Sequence, residues 1–262
     1  MNTPDSNPLV MTRDGGIATL TFNRPAAMNA LDVPTARAFL EACQSLADDA
    51  QLRVVVIRGE GRAFGVGGDL SALQHDTATT AHELIGALHE AVVLLAHINA
   101  PVIASLHGAV AGGSLSLSMA CDLAIAADTT RFNLAYANLG ASCDVSGSWN
   151  LPRLVGLRNA MQIALLSETF DAAEALRLGL VNRVVPADQL QEETMALARR
   201  LAAGPTQAYG RMKRLMRQSF ETDLATQLDA ERENFKASTQ TDDFKAGISA
   251  FFAKRPALFK GS

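Results

Sequence analysis

The stretch APVIASLHGAVAGGSLSLSMACDLAIAAD, residues 100–128, reads as strand, glycine turn, helix, strand. VIASL (102–106) follows Pro101 as a short apolar run, and LAIAAD (123–128) is a second. Such runs suit strands buried on both faces. Between them HGAVAGG turns and SLSLSMA continues as a helix of small residues. VVVIRGEGRAFGVGGDL (54–70) has the same grammar. In each segment glycines allow a sharp turn and present bare N–H groups at a helix start. Two such groups converging on one point make an oxyanion hole. Two tight turns that need glycine only for positive φ account for the same residues. Neither segment is a GxxxxGK[ST] or GxGxxG cradle, so a nucleotide-phosphate site has little support.

The alternation continues outward. Residues 9–22 hold two β-rich runs around a turn at 13–16, a hairpin pattern. Over 33–49, Val33, Ala36, Phe39, Leu40, Cys43 and Leu46 share one helical stripe, and 80–98 is helical up to Pro101. Helices are expected over 157–166 and 172–178, the second capped by Asp171 and ended by Gly179. From 187 to 255 the pattern is helical, with breaks at 204–205 and around 238–243. The organisation predicted is an α/β core over 1–186 and a helical region over 187–262.

With 262 residues, 48% apolar and 19% charged, the chain has ample material for a core. A net charge of −4 without a basic face argues against nucleic acid. Cys43, Cys121 and Cys143 form no CxxC pair, so neither a disulfide framework nor a zinc site is expected, and a cytoplasmic setting fits. MNTPDSNPLV lacks the basic and then apolar pattern of a leader. The most apolar region, 91–113, is interrupted by His97, Asn99, Pro101 and His107. It is not the run of about 20 apolar residues that spans a membrane.

NRPAAMNAL (23–31), AFGVGGDL (63–70), the 100–128 stretch, LPRLVGLRNA (151–160) and EALRLGLVNRVV (174–185) together resemble the enoyl-CoA hydratase/isomerase (crotonase) family. The likeness extends through 227–259 and covers nearly the whole chain in order. It implies repeated β-β-α units with a C-terminal helical trimerisation region, as trimers or dimers of trimers. It implies an acyl-CoA thioester substrate and no cofactor beyond the CoA that substrate carries. The thioester oxygen would lie between the N–H groups of Gly68 and Gly113. CoA contacts would fall around Ala26, Ala27 and Met28 and around Val66 and Gly67. Phe251 and Lys254 fall where the family brings a C-terminal segment near CoA, often from a neighbouring subunit.

The family's hydratases use two glutamates, and this chain departs from that pattern. Ser116 stands at the first position and Tyr136 at the second. Hydration needs a base for water and an acid for C2, and both hydroxyls ionise far above neutral pH. Asp144 is the sole acid in residues 135–156. Isomerase branches of the family carry an acid at this loop position, and YANLGASCDVSGSWNLPR (136–153) is most similar to the phenylacetate-pathway epoxide isomerases. A double-bond shift needs one base, so the resemblance points to an acyl-CoA isomerase with Asp144 as proton carrier. A partly buried aspartate there would have a raised pKa. From local sequence alone, Asp144 also suits the cap of a helix starting near 147. A hydratase with atypical residues and a non-catalytic acyl-CoA-binding trimer are the alternatives.

In the family's aromatic acyl-CoA dehalogenases a histidine at the position of His89 works with an aspartate. Those enzymes carry Trp where this chain has Tyr136, and His89 is read here as a residue on a polar helix rim. His75, His82 and His97 show no ligand spacing with acids, so no metal is expected. His107, Asp69 and Asp122 read as structural, Trp149 as packing below the Asp144 loop, and Cys143 as a small buried residue. Ser116 would leave room for a bulky acyl group, and Tyr136 would hydrogen-bond, shape the acyl pocket or pack.

Overall fold

The computed structural model describes residues 7–72 and 77–262. The first half runs β1 (Leu9–Asp14), β2 (Ile17–Phe22), α1 (Val33–Ala47), β3 (Val54–Gly59), α2 (Thr77–His97), β4 (Val102–Leu106), β5 (Ala109–Ala111) and α3 (Gly112–Ala120). Then come β6 (Leu123–Ala127), β7 (Arg131–Asn133), α4 (Gly147–Leu166), β8 (Phe170–Asp171), α5 (Ala172–Leu178) and β9 (Arg183–Val185). Four helices follow: α6 (Leu190–Ala202), α7 (Thr206–Gln218), α8 (Leu224–Thr239) and α9 (Asp242–Phe252).

β1 and β2 form the expected antiparallel hairpin, and every later neighbour in the main sheet is parallel. Its order is β1-β2-β3-β4-β6-β9. Side chains alternate across the pleat. Leu20, Val55, Ile57, Ala104 and Leu106 enter the large core with Phe39 of α1, Leu88 of α2 and Leu115 of α3. Ile17, Val54, Val56 and Ile103 point the other way, under Ala198 of α6. A second sheet, β5-β7-β8, stands beside the first. Asp32 caps α1 by accepting from the Thr35 N–H, and Asp171 does the same for α5 through Glu174.

Three sequence expectations change. The turn before α3 contains β5, which pairs with β7 in a second sheet. The helices expected near 147 and over 157–166 form one element, α4, from Gly147, whose geometry breaks at Gly156 (φ +78°). The C-terminal helices break once more, between α7 and α8. His75 lies outside the described residues. Among those described, no helix is long and apolar enough to cross a membrane.

Asp122, at the turn into β6, anchors α7. Its carboxylate accepts from the Val102 N–H (2.9 Å), Lys213 Nζ (2.6 Å) and Arg217 (2.9 Å). Lys213 also donates to the carbonyls of Leu95 and Ala100. The Asp122 side chain is 15% exposed and that of Lys213 9%. Removing one partner of a buried pair leaves an uncompensated charge. Asp122→Ala is therefore expected to cost about 3–5 kcal/mol in urea unfolding. Asp229→Ala, which breaks the exposed pair with Arg232, should cost less than about 1 kcal/mol.

Candidate active site

The two glycine turns are laced together by backbone. Phe64 N–H donates to His107 O, Gly65 N–H to Ala109 O and Ala111 N–H to Gly65 O, at 2.9–3.2 Å. Gly65 and Val110 thus form a parallel bridge, and Leu31 and Gly68 form another. Gly67 (φ +88°) sits where the turns touch. A Cβ there would lie 3.1 Å from the Gly113 nitrogen and 3.2 Å from the Ala111 carbonyl oxygen. Its N–H donates to Ser114 Oγ at 3.1 Å. Leu31 N–H donates to Gly67 O and Asp69 N–H to Leu31 O, flanking Gly68. The Gly68 N–H takes part in no hydrogen bond among the described residues. Gly113 is the second residue of α3, and N–H groups of a first turn have no intrahelical acceptor.

Asp144 faces this junction. A Cβ on Gly113 would lie 3.5 Å from Asp144 Oδ1 and 3.7 Å from the Tyr136 hydroxyl. The Tyr136 hydroxyl donates to Asp144 Oδ1, and Ser116 Oγ lies 3.0 Å from the same hydroxyl. With Tyr136 donating to the carboxylate, Ser116 donates to Tyr136, so Ser116, Tyr136 and Asp144 form one directed chain. Asp144 Oδ2 has no side-chain partner among the described residues. Burial pushes the Asp144 carboxyl above its ordinary value, against the opposing pull of the Tyr136 hydroxyl. Burial, then the Asp144 charge, raises the Tyr136 phenol and keeps it a donor. The same two causes raise the Cys143 thiol, which makes it a poor nucleophile.

The Asp144 side chain does not cap α4. The cap is Ser146, without a side-chain hydrogen bond, and only the Asp144 carbonyl takes the Gly147 N–H (2.8 Å).

A family profile described as Enoyl-CoA hydratase/isomerase matches residues 12–262. The chain belongs to the enoyl-CoA hydratase/isomerase family. It is 34% identical to the crotonyl-CoA hydratase of Syntrophomonas wolfei, over 96% of this chain and 97% of that one. It is 33% identical to the 1,2-epoxyphenylacetyl-CoA isomerase of Escherichia coli, over 94% and 95%. The crystal structure of an enoyl-CoA hydratase from Mycobacterium smegmatis superposes with a TM-score of 0.91 at 32% identity, over 97% and 99%. The crotonase-like α/β architecture expected from the sequence is thereby established, and relatives include both hydratases and isomerases.

Within this family fold, the other expected site residues are placed as follows. Ala26, Ala27 and Met28 lie on a short 3₁₀ turn and just after it. The Leu31–Gly68 bridge holds this segment beside Val66 and Gly67. Phe251 is 76% exposed on α9. No hydrogen bond, ion pair or ring contact joins Phe251 or Lys254 to the Asp144 cluster among the described residues. His107 Nε2 bonds to Gly61 O (2.9 Å), a structural role as expected. Asp69 accepts from Ser71 and pairs with Arg24. Trp149 is partly exposed, with the Arg153 guanidinium 3.9 Å from its ring centre.

Three contributors escaped the sequence reading. Asn29 is 1% exposed and adopts φ +56°. Its side chain donates to Glu60 O and Ala63 O and accepts from the Arg24 N–H, pinning the 24–29 segment to the first glycine turn. Ser114 receives Gly67. His89 Nε2 accepts the Val145 N–H at 3.1 Å, so it is more than a rim residue. An asparagine between two apolar residues was the available signal for Asn29; for His89 it was the histidine that the family's dehalogenases carry at that position.

The raised Asp144 pKa carries a sign. Between the ordinary carboxylate range and the raised folded value, the native state binds more protons than the unfolded chain, so stability falls as pH rises. Asp144→Asn removes this cost. Its Tm should exceed that of wild type at neutral pH, with the gap closing as pH falls through the folded Asp144 pKa, in calorimetry across pH.

Proposed function

We propose that this protein is an acyl-CoA isomerase that shifts a double bond with one carboxylate base. Asp144 takes a proton from C2 of a 3-enoyl thioester. The electron pair delocalises into a dienolate whose oxygen is held by the N–H groups of Gly68 and Gly113. Asp144 returns the proton to C4, and the 3,4 double bond becomes a 2,3 double bond. No water is consumed, the thioester stays intact, and no cofactor takes part beyond the CoA that the substrate carries.

The observation that supports this reading is the half-buried carboxylate of Asp144 facing the Gly113 turn, with one oxygen bonded to Tyr136 and the other without a side-chain partner among the described residues. A raised pKa suits a group that gains and then loses a proton. Ser116 and Tyr136, bonded to each other, occupy the positions where the family resemblance puts hydratase glutamates. Neither hydroxyl supplies a base for water. A 3-enoyl-CoA or a ring-bearing acyl-CoA is the substrate class proposed, the latter by analogy with the epoxyphenylacetyl-CoA isomerase relative. The exposed apolar residues of α7 to α9, among them Met212, Phe235 and Phe251, support a homo-oligomer, proposed as a homotrimer or dimer of trimers; a cytoplasmic setting is proposed with it.

A paired assay tests the reading. Wild type should convert a 3-enoyl-CoA to its conjugated isomer, and Asp144→Asn should lose about 10²–10⁴-fold in kcat. Binding of the thioester should persist. Hydration of a trans-2-enoyl-CoA that survives the substitution would refute the one-base mechanism and favour a hydratase.

A further inference from the structure

We propose that His89 is a positioning residue, holding by hydrogen bond the left-handed turn that aims Asp144 at the Gly113 junction. The inference rests on the reading of Asp144 as the proton carrier.

Asp144 is followed by two non-glycine residues in the left-handed region, Val145 (φ +46°) and Ser146 (φ +66°). A β-branched residue rarely adopts this conformation. It persists where surrounding structure over-determines it. Most of the turn's hydrogen bonds are local. Gly147 N–H returns to Asp144 O, Trp149 and Asn150 N–H reach Ser146 O, and Asn150 Nδ2 reaches Ser146 Oγ. For residues 145–147, one hydrogen bond arrives from another element among those described: Val145 N–H to His89 Nε2 on α2, 3.1 Å long and 56 positions away in sequence.

An acceptor Nε2 assigns the ring proton to Nδ1. His89 thus serves the turn through the Val145 amide, while the hydrogen-bond partner of the carboxylate itself is Tyr136. The turn has little freedom on its other side, since a Cβ on Gly147 would lie 2.5 Å from Ser116 Oγ. A residue that fixes the backbone on one side of Asp144, with Tyr136 fixing its side chain on the other, sets where Oδ2 points.

The test uses the full chain with His89→Ala and His89→Gln, because the glutamine amide oxygen can accept the same N–H. Turnover of a 3-enoyl-CoA gives kcat and KM, and hydrogen–deuterium exchange of a peptide spanning 142–150 reports on the turn. His89→Ala should lower kcat by about 10–100-fold, with KM within about twofold. It should speed exchange at 142–150 and leave the α1 peptides unchanged. His89→Gln should recover most of the kcat and slow the exchange again. An alanine variant with wild-type kcat and exchange, or a glutamine variant no better than alanine, overturns the proposal. If wild type isomerises no 3-enoyl-CoA while exchange responds as described, the isomerase reading fails and the hold on the turn stands.

Discussion

The close approach of two backbones, Gly65–Gly68 against Ala109–Gly113, is the constraint on which the rest of the structure depends. Gly67 and Gly112 both have positive φ, and a side chain at Gly67 would meet the Gly113 nitrogen and the Ala111 carbonyl. Only bare backbone fits there. The same contact ties the end of β3 to the start of α3, so parallel strands of the main sheet bring two turns to one place. Asn29, Leu31 and Ser114 then brace the junction from neighbouring segments.

Opposite the junction, electrostatics and packing work against each other. Burial disfavours the Asp144 anion, and the Tyr136 hydroxyl offsets part of that cost. Ser116 completes the chain, so two uncharged side chains orient the charged one. A carboxylate held in this way is less stable than a solvated one but closer in pKa to a working proton carrier. Strain at Val145 and Ser146 belongs to the same pattern, in which local cost is concentrated at the site.

Much of this architecture was legible in the chain. VVVIR and VIASL read as buried parallel strands because nothing but a core suits such runs, and the glycines of both turns marked positions where side chains are excluded. β5 was hidden because three residues beside glycines carry no period. The continuity of α4 was hidden because Pro152 and the break at Gly156 interrupt any apolar stripe. In the site, Asp144 stood out as a lone acid and through family resemblance. His89 was noticed only through the dehalogenase resemblance and read as a rim residue, since accepting a backbone N–H from 56 positions away leaves no pattern in sequence.

In the proposed reaction one carboxylate carries one proton between two carbons of the substrate. Isotope transfer tests it most directly: a 3-enoyl-CoA with protium at C2 is turned over in deuterated water and the product examined at C4 by NMR and mass spectrometry. Part of the C2 protium should be delivered to C4 of the same molecule, and the product should gain no oxygen. Complete deuteration at C4, or a hydroxyacyl product whose oxygen comes from solvent, would contradict it.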